Sequence, residues 1–328
     1  MTQTIRWGII GVGNVTEQKS GPGFQQAQHS QLVAVMRRNA ARAEDYATRH
    51  KVPFWTTDAS ELINHPEVDA VYIATPPDSH CSYTEHVAAA GKPVYVEKPM
   101  ARTYAECQTM LRACEQASVP LFVAYYRRAM PRFERVRRII EAGDLGSVRS
   151  VHITLHRPAS SEDTSSSKPW RVLPEVAGGG YFVDMGSHTL DLLDWLLGPI
   201  THVYGIAQNQ AGHYPAEDAV SATFSFENGI IGSGSWCFNA FEQYDEVTIT
   251  GDTGCLKFSC FDETALQLMT TEGQQTIDAP YPDVVQQPLI QQVVNALNGK
   301  GTCASTGQSA ARTSYVMDNI LAQYRRPT

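Results

Sequence analysis

Asp184 and His188, four positions apart, combine a carboxylate with an imidazole in a way suited to moving a proton. They lie in the run AGGGYFVDMGSHTLD, residues 177–191. On an α-helix, positions i and i+4 share one face with Cβ atoms roughly 5–6 Å apart. A carboxylate beside a histidine raises its basicity and fixes its ring, which suits acid–base chemistry near neutral pH. Gly178, Gly179 and Gly180 come just before and free the backbone to pack close against something. Asp191 and Asp194 continue the helix face, Asp191 as a contact for a substrate hydroxyl or as a cap or ion-pair partner. The Asp/His spacing also arises by chance, so its meaning depends on the rest of the chain.

A second candidate is Lys98, in PVYVEKPM at residues 93–100. An apolar strand there ends in Glu97-Lys98-Pro99, and in doubly wound sheets ligands bind beyond the carboxyl ends of the strands. The bond to Pro99 is a candidate for the cis form. The alternative is a surface lysine before a turn proline. An earlier strand ends in Ala74-Thr75-Pro76-Pro77 at the same edge, followed by His80, which either touches a cofactor or starts a helix.

The chain opens with IRWGIIGVGNVT, residues 5–16, an apolar strand running into Gly11-Val12-Gly13. This is the first turn of a dinucleotide-binding βαβ unit. Gly11 allows the tight turn, Gly13 lets backbone approach a pyrophosphate, and Asn14 and Val15 begin a helix whose N–H groups face the phosphates. Thr16 takes the third glycine position, which predicts slightly wider helix–strand packing. The second strand, LVAVM at 32–36, ends in Arg37 and Arg38 with no carboxylate. An acidic residue there would hold the ribose 2′-hydroxyl of NAD, whereas arginine accommodates a 2′-phosphate and forks onto it. The expected cofactor is therefore NADP(H) in preference to NAD(H), the alternative being two solvated surface arginines.

Positioning these groups requires a parallel sheet. Strand patterns at 5–10, 32–36, 68–74, 94–96 and 121–125 alternate with helical periodicity at 40–50, 80–90 and 104–117. Unbroken apolar runs indicate strands covered on both faces, and the alternation implies a Rossmann-type doubly wound sheet. After a helix near 131–142 the grammar changes. Residues 148–156 alternate, and the Ser-rich stretch 160–168 reads as a mobile loop. Beyond residue 201 the pattern is antiparallel, with Glu227-Asn228-Gly229 as a hairpin signal and Gly251-Asp252-Thr253-Gly254 as another turn. Helices at 288–298 and 307–324 close the chain. The fold class is α/β, an N-terminal Rossmann sheet followed by an α+β domain on a largely antiparallel open sheet. The expected domains are 1–125 for the dinucleotide and 126–328 for substrate binding and oligomerisation, with the C-terminal helix free to pack back on the first.

The chain has 328 residues, 42% of them hydrophobic and 18% charged, as in ordinary globular proteins. A net charge of −8 disfavours nucleic acid as a partner. Seven cysteines without a zinc-like cluster read as reduced, mostly buried thiols, and no metal site is expected. Four residues precede Ile5, so no signal peptide is expected; no apolar run approaches a membrane span, and the cytoplasm is the expected compartment.

Together these motifs resemble the glucose–fructose oxidoreductase / inositol dehydrogenase / rhizopine catabolism (Gfo/Idh/MocA) family. The matches are GVG after the first strand, ATPP with His80, EKP at 97–99, AYYRR at 124–128, PWR at 169–171 and AGGG…D…H…D at 177–191. The resemblance implies Lys98, Asp184 and His188 as the catalytic group, and reversible hydride transfer between nicotinamide and a secondary alcohol of a sugar, inositol or related cyclic polyol. It implies cofactor contacts from Glu97 and Lys98, and from Trp170-Arg171, a pair that otherwise reads as a core tryptophan beside a surface arginine. Tyr126 stands where the family commonly has asparagine, among the expected substrate contacts with Lys98, Asp184 and His188.

In that chemistry His188, oriented by Asp184, takes the hydroxyl proton as hydride leaves carbon and Lys98 stabilises the alkoxide, or Lys98 is itself the proton carrier; the sequence leaves both open. Lys98 and the Asp184/His188 pair come from different domains, so they act together only if the second folds over the carboxyl edge of the first sheet. A non-catalytic nucleotide sensor would not need these three groups, and an NAD-assisted glycosidase does not require an NADP site. A homo-dimer or homo-tetramer is expected through the second sheet, whose alternation could present Ile231 or Trp236, although Trp236 and Trp195 also read as core.

Overall fold

The computed structural model describes residues 2–325 and divides into two compact units. The first comprises Met1–Met130 with Pro282–Ala311, the second Pro131–Tyr281 with Arg312–Thr328.

The first unit is built on strands β1 (Ile5–Ile10), β2 (Ser30–Met36), β3 (Phe54–Thr56), β4 (Ala70–Ile73), β5 (Val94–Val96) and β6 (Leu121–Val123). They pair in parallel in the order β3-β2-β1-β4-β5-β6, the doubly wound arrangement. Every residue of β4, β5 and β6 is buried, which is why those runs carry no polar alternation. The helices between them start where side chains cap them. Asn39 accepts from the Arg42 amide at Ala40–His50, and Thr103 accepts from the Glu106 amide at Tyr104–Gln116. Strand β3 has no counterpart in the sequence pattern: it is three residues long with Trp55 exposed, too short to show a period. Trp7, Phe24, Tyr72 and Tyr95 pack ring against ring in the core, with centroids 4.9–6.3 Å apart. The later segment Pro282–Ala311 joins this unit through its helix Gln287–Leu297. A Cβ at Gly23 would come within 2.7 Å of Ile290 Cδ1, so glycine permits that approach.

The second unit carries an eight-stranded sheet of β7 (Val148–His156), β8 (Ile200–Gln208), β9 (Ala219–Phe226), β10 (Ile231–Cys237), β11 (Tyr244–Gly251), β12 (Gly254–Phe258), β13 (Leu266–Thr270) and β14 (Gly273–Ile277). Its order is β14-β13-β12-β11-β7-β10-β9-β8, and all neighbours are antiparallel except β10 with β7. The β9–β10 hairpin turns on Gly229 at φ +86°. One face is core and the other exposed, so burial alternates along β9 and β10. Tyr204, Ile206 and Ile231 lie on the exposed face. Trp236 does not: it is five residues from Ile231, so the strand period turns it inward, where it is fully buried against Phe182 with centroids 5.0 Å apart. Trp195, by contrast, is only half-buried, with the Arg137 guanidinium stacked 5.0 Å from its ring.

The Ser-rich stretch is not the loose loop its composition suggests. Ser160 and Asp163 form a capping box on the short helix Ser161–Thr164. Asp163 is buried, accepts from Tyr181 Oη at 2.6 Å, and its carbonyl accepts from Lys168 Nζ at 2.8 Å. Among the described residues no helix is long and apolar enough to cross a membrane.

Candidate active site

At the end of β1, Gly11 sits at φ +95°, and a Cβ there would lie 2.9 Å from the backbone nitrogen of Thr75. Only glycine fits this turn. A Cβ at Gly13 would instead meet nothing within 4 Å, so the backbone here borders the open cradle a pyrophosphate requires. The Gly11 and Val12 amides donate to the Met36 carbonyl, which ties the turn to β2. The next amides, Asn14 and Val15, open the helix. Thr16 stands at the third position of the glycine turn. Its hydroxyl accepts from the Gly13 amide and donates to the Gly13 carbonyl, both at 2.8 Å, closing the turn. A π-helical segment spans Thr16–Ser20. At Gly21, which follows it, a Cβ would lie 2.2 Å from the Thr16 carbonyl and 2.5 Å from Tyr46 Oη.

Arg37 at the end of β2 donates from Nη1 to the Val12 carbonyl at 2.9 Å, which lays its guanidinium beside the glycine turn. Arg38 is exposed, and Asn39 is spent on the helix cap. These residues fit a dinucleotide: a glycine turn open at Gly13, and cations where a ribose phosphate would lie.

Lys98 leaves the carboxyl end of β5 half-exposed, and its bond to Pro99 is cis. Two neighbours expected to touch a cofactor also brace the turn that carries Lys98. The buried Glu97 carboxylate accepts from Tyr72 Oη at 2.5 Å, from Gln286 Nε2 at 2.8 Å and from the Lys98 amide at 3.0 Å. His80 is fully buried. Its Nε2 faces the Thr75 carbonyl at 2.8 Å, and its Nδ1 faces the carbonyls of Pro99 and Met100 at 3.1 and 3.2 Å. Burial pushes the imidazole below its ordinary range, against the pull of these carbonyls and Glu97. His80 thus clamps the turn after β4 to the turn after Lys98, and leaves Thr75 and Pro76 part-exposed at the sheet edge.

Tyr126 follows β6 in a short 3₁₀ turn and is buried. Arg127 stacks 5.2 Å from its ring centre, and Lys19 Nζ lies 5.8 Å from it. Burial raises the phenol's pKa, but Arg127, Lys19 and Lys98 outweigh it and hold the group below its ordinary range. The carboxyl edge of this sheet is therefore electropositive around Lys98.

In the second unit, the glycine run packs against Ala216-Glu217. A Cβ at Gly180 would lie 2.6 Å from the Glu217 carbonyl, and one at Gly179 would lie 2.5 Å from Val183 Cγ2. The Gly180 amide donates to Glu217 Oε1 at 2.8 Å. The following turn, Phe182–Gly186, is π-helical, and the α-helix proper runs Ser187–Leu197. Asp184 and His188 therefore straddle a change of pitch, a feature frequent at functional sites. Arg171 Nε lies 3.3 Å from Asp184 Oδ2, while the guanidinium stacks 4.5 Å over Trp170. The Trp170-Arg171 pair thus bears on Asp184, a link that spacing along the chain does not reveal. His188 is buried, edge-on to Phe261 at 6.0 Å. Farther along, Asp191 accepts from Thr313 Oγ1 at 3.2 Å, and Asp194 is gripped by Arg312 at 2.6 and 2.9 Å. These two carboxylates anchor the C-terminal helix Gly307–Ile320.

Sequence reasoning missed Lys19 and Arg127, which the period of their elements leaves unremarkable, and Glu217, whose burial no local pattern announces.

Residues 5–125 match the family model described as the oxidoreductase family, NAD-binding Rossmann fold, and residues 133–257 match the GFO/IDH/MocA C-terminal domain. Oxidoreductase P35 of Formosa agariphila is 37% identical over 324 residues, covering 97% of this chain and 98% of the relative. Inositol 2-dehydrogenase of Rhizobium meliloti is 28% identical over 280 residues, covering 82% and 80%. A solved levoglucosan dehydrogenase in complex with NADH shares the fold, with a TM-score of 0.87, 24% identity, and coverage of 98% of this chain and 96% of that one.

Proposed function

We propose a sugar or polyol dehydrogenase function for this chain, which belongs to the Gfo/Idh/MocA oxidoreductase family. The family is one of NAD-binding oxidoreductases. The observation that carries the reading lies within the first unit: the glycine turn after β1 and Lys98 after β5 leave the same carboxyl edge of one sheet. Residues 1–125, with the segment 282–311 that packs on them, serve the dinucleotide, and the rest of 126–328 serves substrate binding and assembly. NADP(H) is the favoured cofactor over NAD(H), supported by Arg37 and Arg38 where a carboxylate would select NAD. The substrate class, a secondary alcohol of a sugar, inositol or related cyclic polyol, is supported by relatives named inositol 2-dehydrogenase and levoglucosan dehydrogenase.

A nicotinamide dinucleotide, when bound, supplies the hydride acceptor for the alcohol carbon. The protein's own work is proton transfer and charge stabilisation. His188 receives the hydroxyl proton as the carbon–oxygen double bond forms. The Lys98 ammonium donates to the developing oxyanion, and the electropositive surroundings of Tyr126 reinforce it. Asp184, fixed by Arg171, orients His188 and balances its charge once protonated. Tyr126 contacts the substrate. The exposed Tyr204, Ile206 and Ile231 supply the face of a homo-dimer or homo-tetramer.

The test is turnover on a panel of aldoses, ketoses, inositols and trans-dihydrodiols with NADP⁺. On a substrate so found, Lys98→Ala and His188→Ala should each lower turnover about 10²-fold or more. The double variant should lose far less than the product of the two, because both groups serve one step. Full turnover in either single variant, or no NADP⁺ reduction with any member of the panel, overturns the reading.

A further inference from the structure

Glu217 is a buried acid that the chemistry above does not use. It is 1% exposed and lies against the glycine run before the helix of Asp184 and His188. The glycines leave room for this segment: a Cβ at Gly180 would lie 2.6 Å from the Glu217 carbonyl and 2.9 Å from Ala216 Cβ, and one at Gly179 would lie 3.1 Å from Glu217 Oε1. Oε1 accepts from the Gly180 amide at 2.8 Å, and the Gly180 carbonyl in turn accepts from the amides of Val183 and Asp184 at 3.0 and 3.2 Å. One carboxylate thus holds the peptide from which the π-helical turn, and Asp184 within it, is hung. Arg325 donates to the neighbouring Gly178 carbonyl.

We propose that Glu217 is a positioning residue, and that its protonation state sets how firmly the glycine run holds the turn that carries Asp184. The proposal rests on the reading of Asp184 and His188 as the proton-transfer pair. A hydrogen bond to an ionised carboxylate is roughly twice as strong as one to a neutral acid. The ionised form therefore grips Gly180 and the neutral form loosens it. Burial raises this carboxyl to about 7, with Asp218 acting in the same direction. The Gly180 amide, Glu217's own amide and Arg325 act against it. The phenols of Tyr214 and Tyr324, both raised by burial, feel the Glu217 charge but stay neutral across this range. The switch therefore falls near neutral pH.

Two measurements on the full chain test this without a substrate. Direct titration of the Glu217 carboxyl carbon by NMR should give a midpoint between pH 6 and 8; a midpoint near 4 overturns the proposal. For local openings that break the Gly180 bond while Glu217 stays buried, amide exchange in residues 178–186, corrected for intrinsic rates, should show protection rising about tenfold from pH 6 to 8. In Glu217→Gln, which keeps the acceptor but not the charge, protection should be flat. Equal pH dependence in both proteins overturns the proposal, whereas a purely structural acid would change protection without changing its pH profile. These outcomes are independent of the Lys98 and His188 variants, so failure of the enzymatic reading is told apart from failure of this one.

Discussion

Replacing Gly13 by alanine should leave the protein folded and weaken dinucleotide binding, whereas the same change at Gly11 should damage the fold. The two glycines are two residues apart, yet their surroundings differ. A methyl at Gly13 meets nothing within 4 Å, and Gly13 is not at positive φ, so folding loses nothing. Lower entropy of the unfolded chain adds roughly 0.4–1 kcal/mol of stability instead. The same methyl fills the space a pyrophosphate would take against the backbone, so affinity should fall at least about tenfold, roughly 1.4 kcal/mol. Gly11 at φ +95° places a methyl 2.9 Å from the Thr75 nitrogen and 2.7 Å from its Cγ2. Backbone strain of about 1–3 kcal/mol joins overpacking of about 1–3 kcal/mol. Thermal melts of both variants without cofactor, with NADP⁺ titrations followed by fluorescence, separate the effects. Gly13→Ala binding NADP⁺ with unchanged affinity would show that this turn does not hold the phosphates. A large loss of melting temperature in that variant would show that the open space is not there.

Replacing Arg37 and Arg38 together by alanine should weaken NADP⁺ by tenfold or more while changing NAD⁺ little, since charge-assisted hydrogen bonds contribute roughly 1.5–3 kcal/mol. Equal affinity of the unmutated protein for the two cofactors refutes this. Light scattering at micromolar concentration should give at least a dimer mass, and Ile206→Lys on the exposed face of β8 should lower it; a monomer in the unmutated protein contradicts the assembly. Glu217 also makes stability pH-dependent. Its folded pKa of about 7 exceeds the ordinary 4.5, so its contribution is complete below pH 4.5 and is lost as pH rises through 7. That loss is about 3 kcal/mol, and relative to Glu217→Gln the melting temperature should fall on the order of 5–10 °C from pH 5 to 8. A constant difference between the two proteins would exclude it.

Much of the fold was legible because it depends on local period and punctuation. Strands β1 and β5 and the helix Ala40–His50 run between the residues their apolar patterns mark, and the hairpin at Asn228-Gly229 follows from turn chemistry. The glycine turn was likewise readable, because a positive φ demands glycine wherever the chain lies. Features set by distant segments were not. Thr16 replaces a glycine and closes the turn through its hydroxyl, which bonds the Gly13 amide and carbonyl. His80 and Glu97 look like ligand contacts in a motif, which gives no sign that they also brace the turn that carries Lys98. Trp236 faces inward by the parity of its strand position against Ile231. The identity of what packs on Gly179 and Gly180 had no trace in the run itself, since Glu217 lies 37 residues along the chain from Gly180. Spacing along a chain specifies the phase of a side chain on its own element. Burial, and with it the protonation of a buried acid, depends on which other element covers it, and that is settled only when the chain has packed.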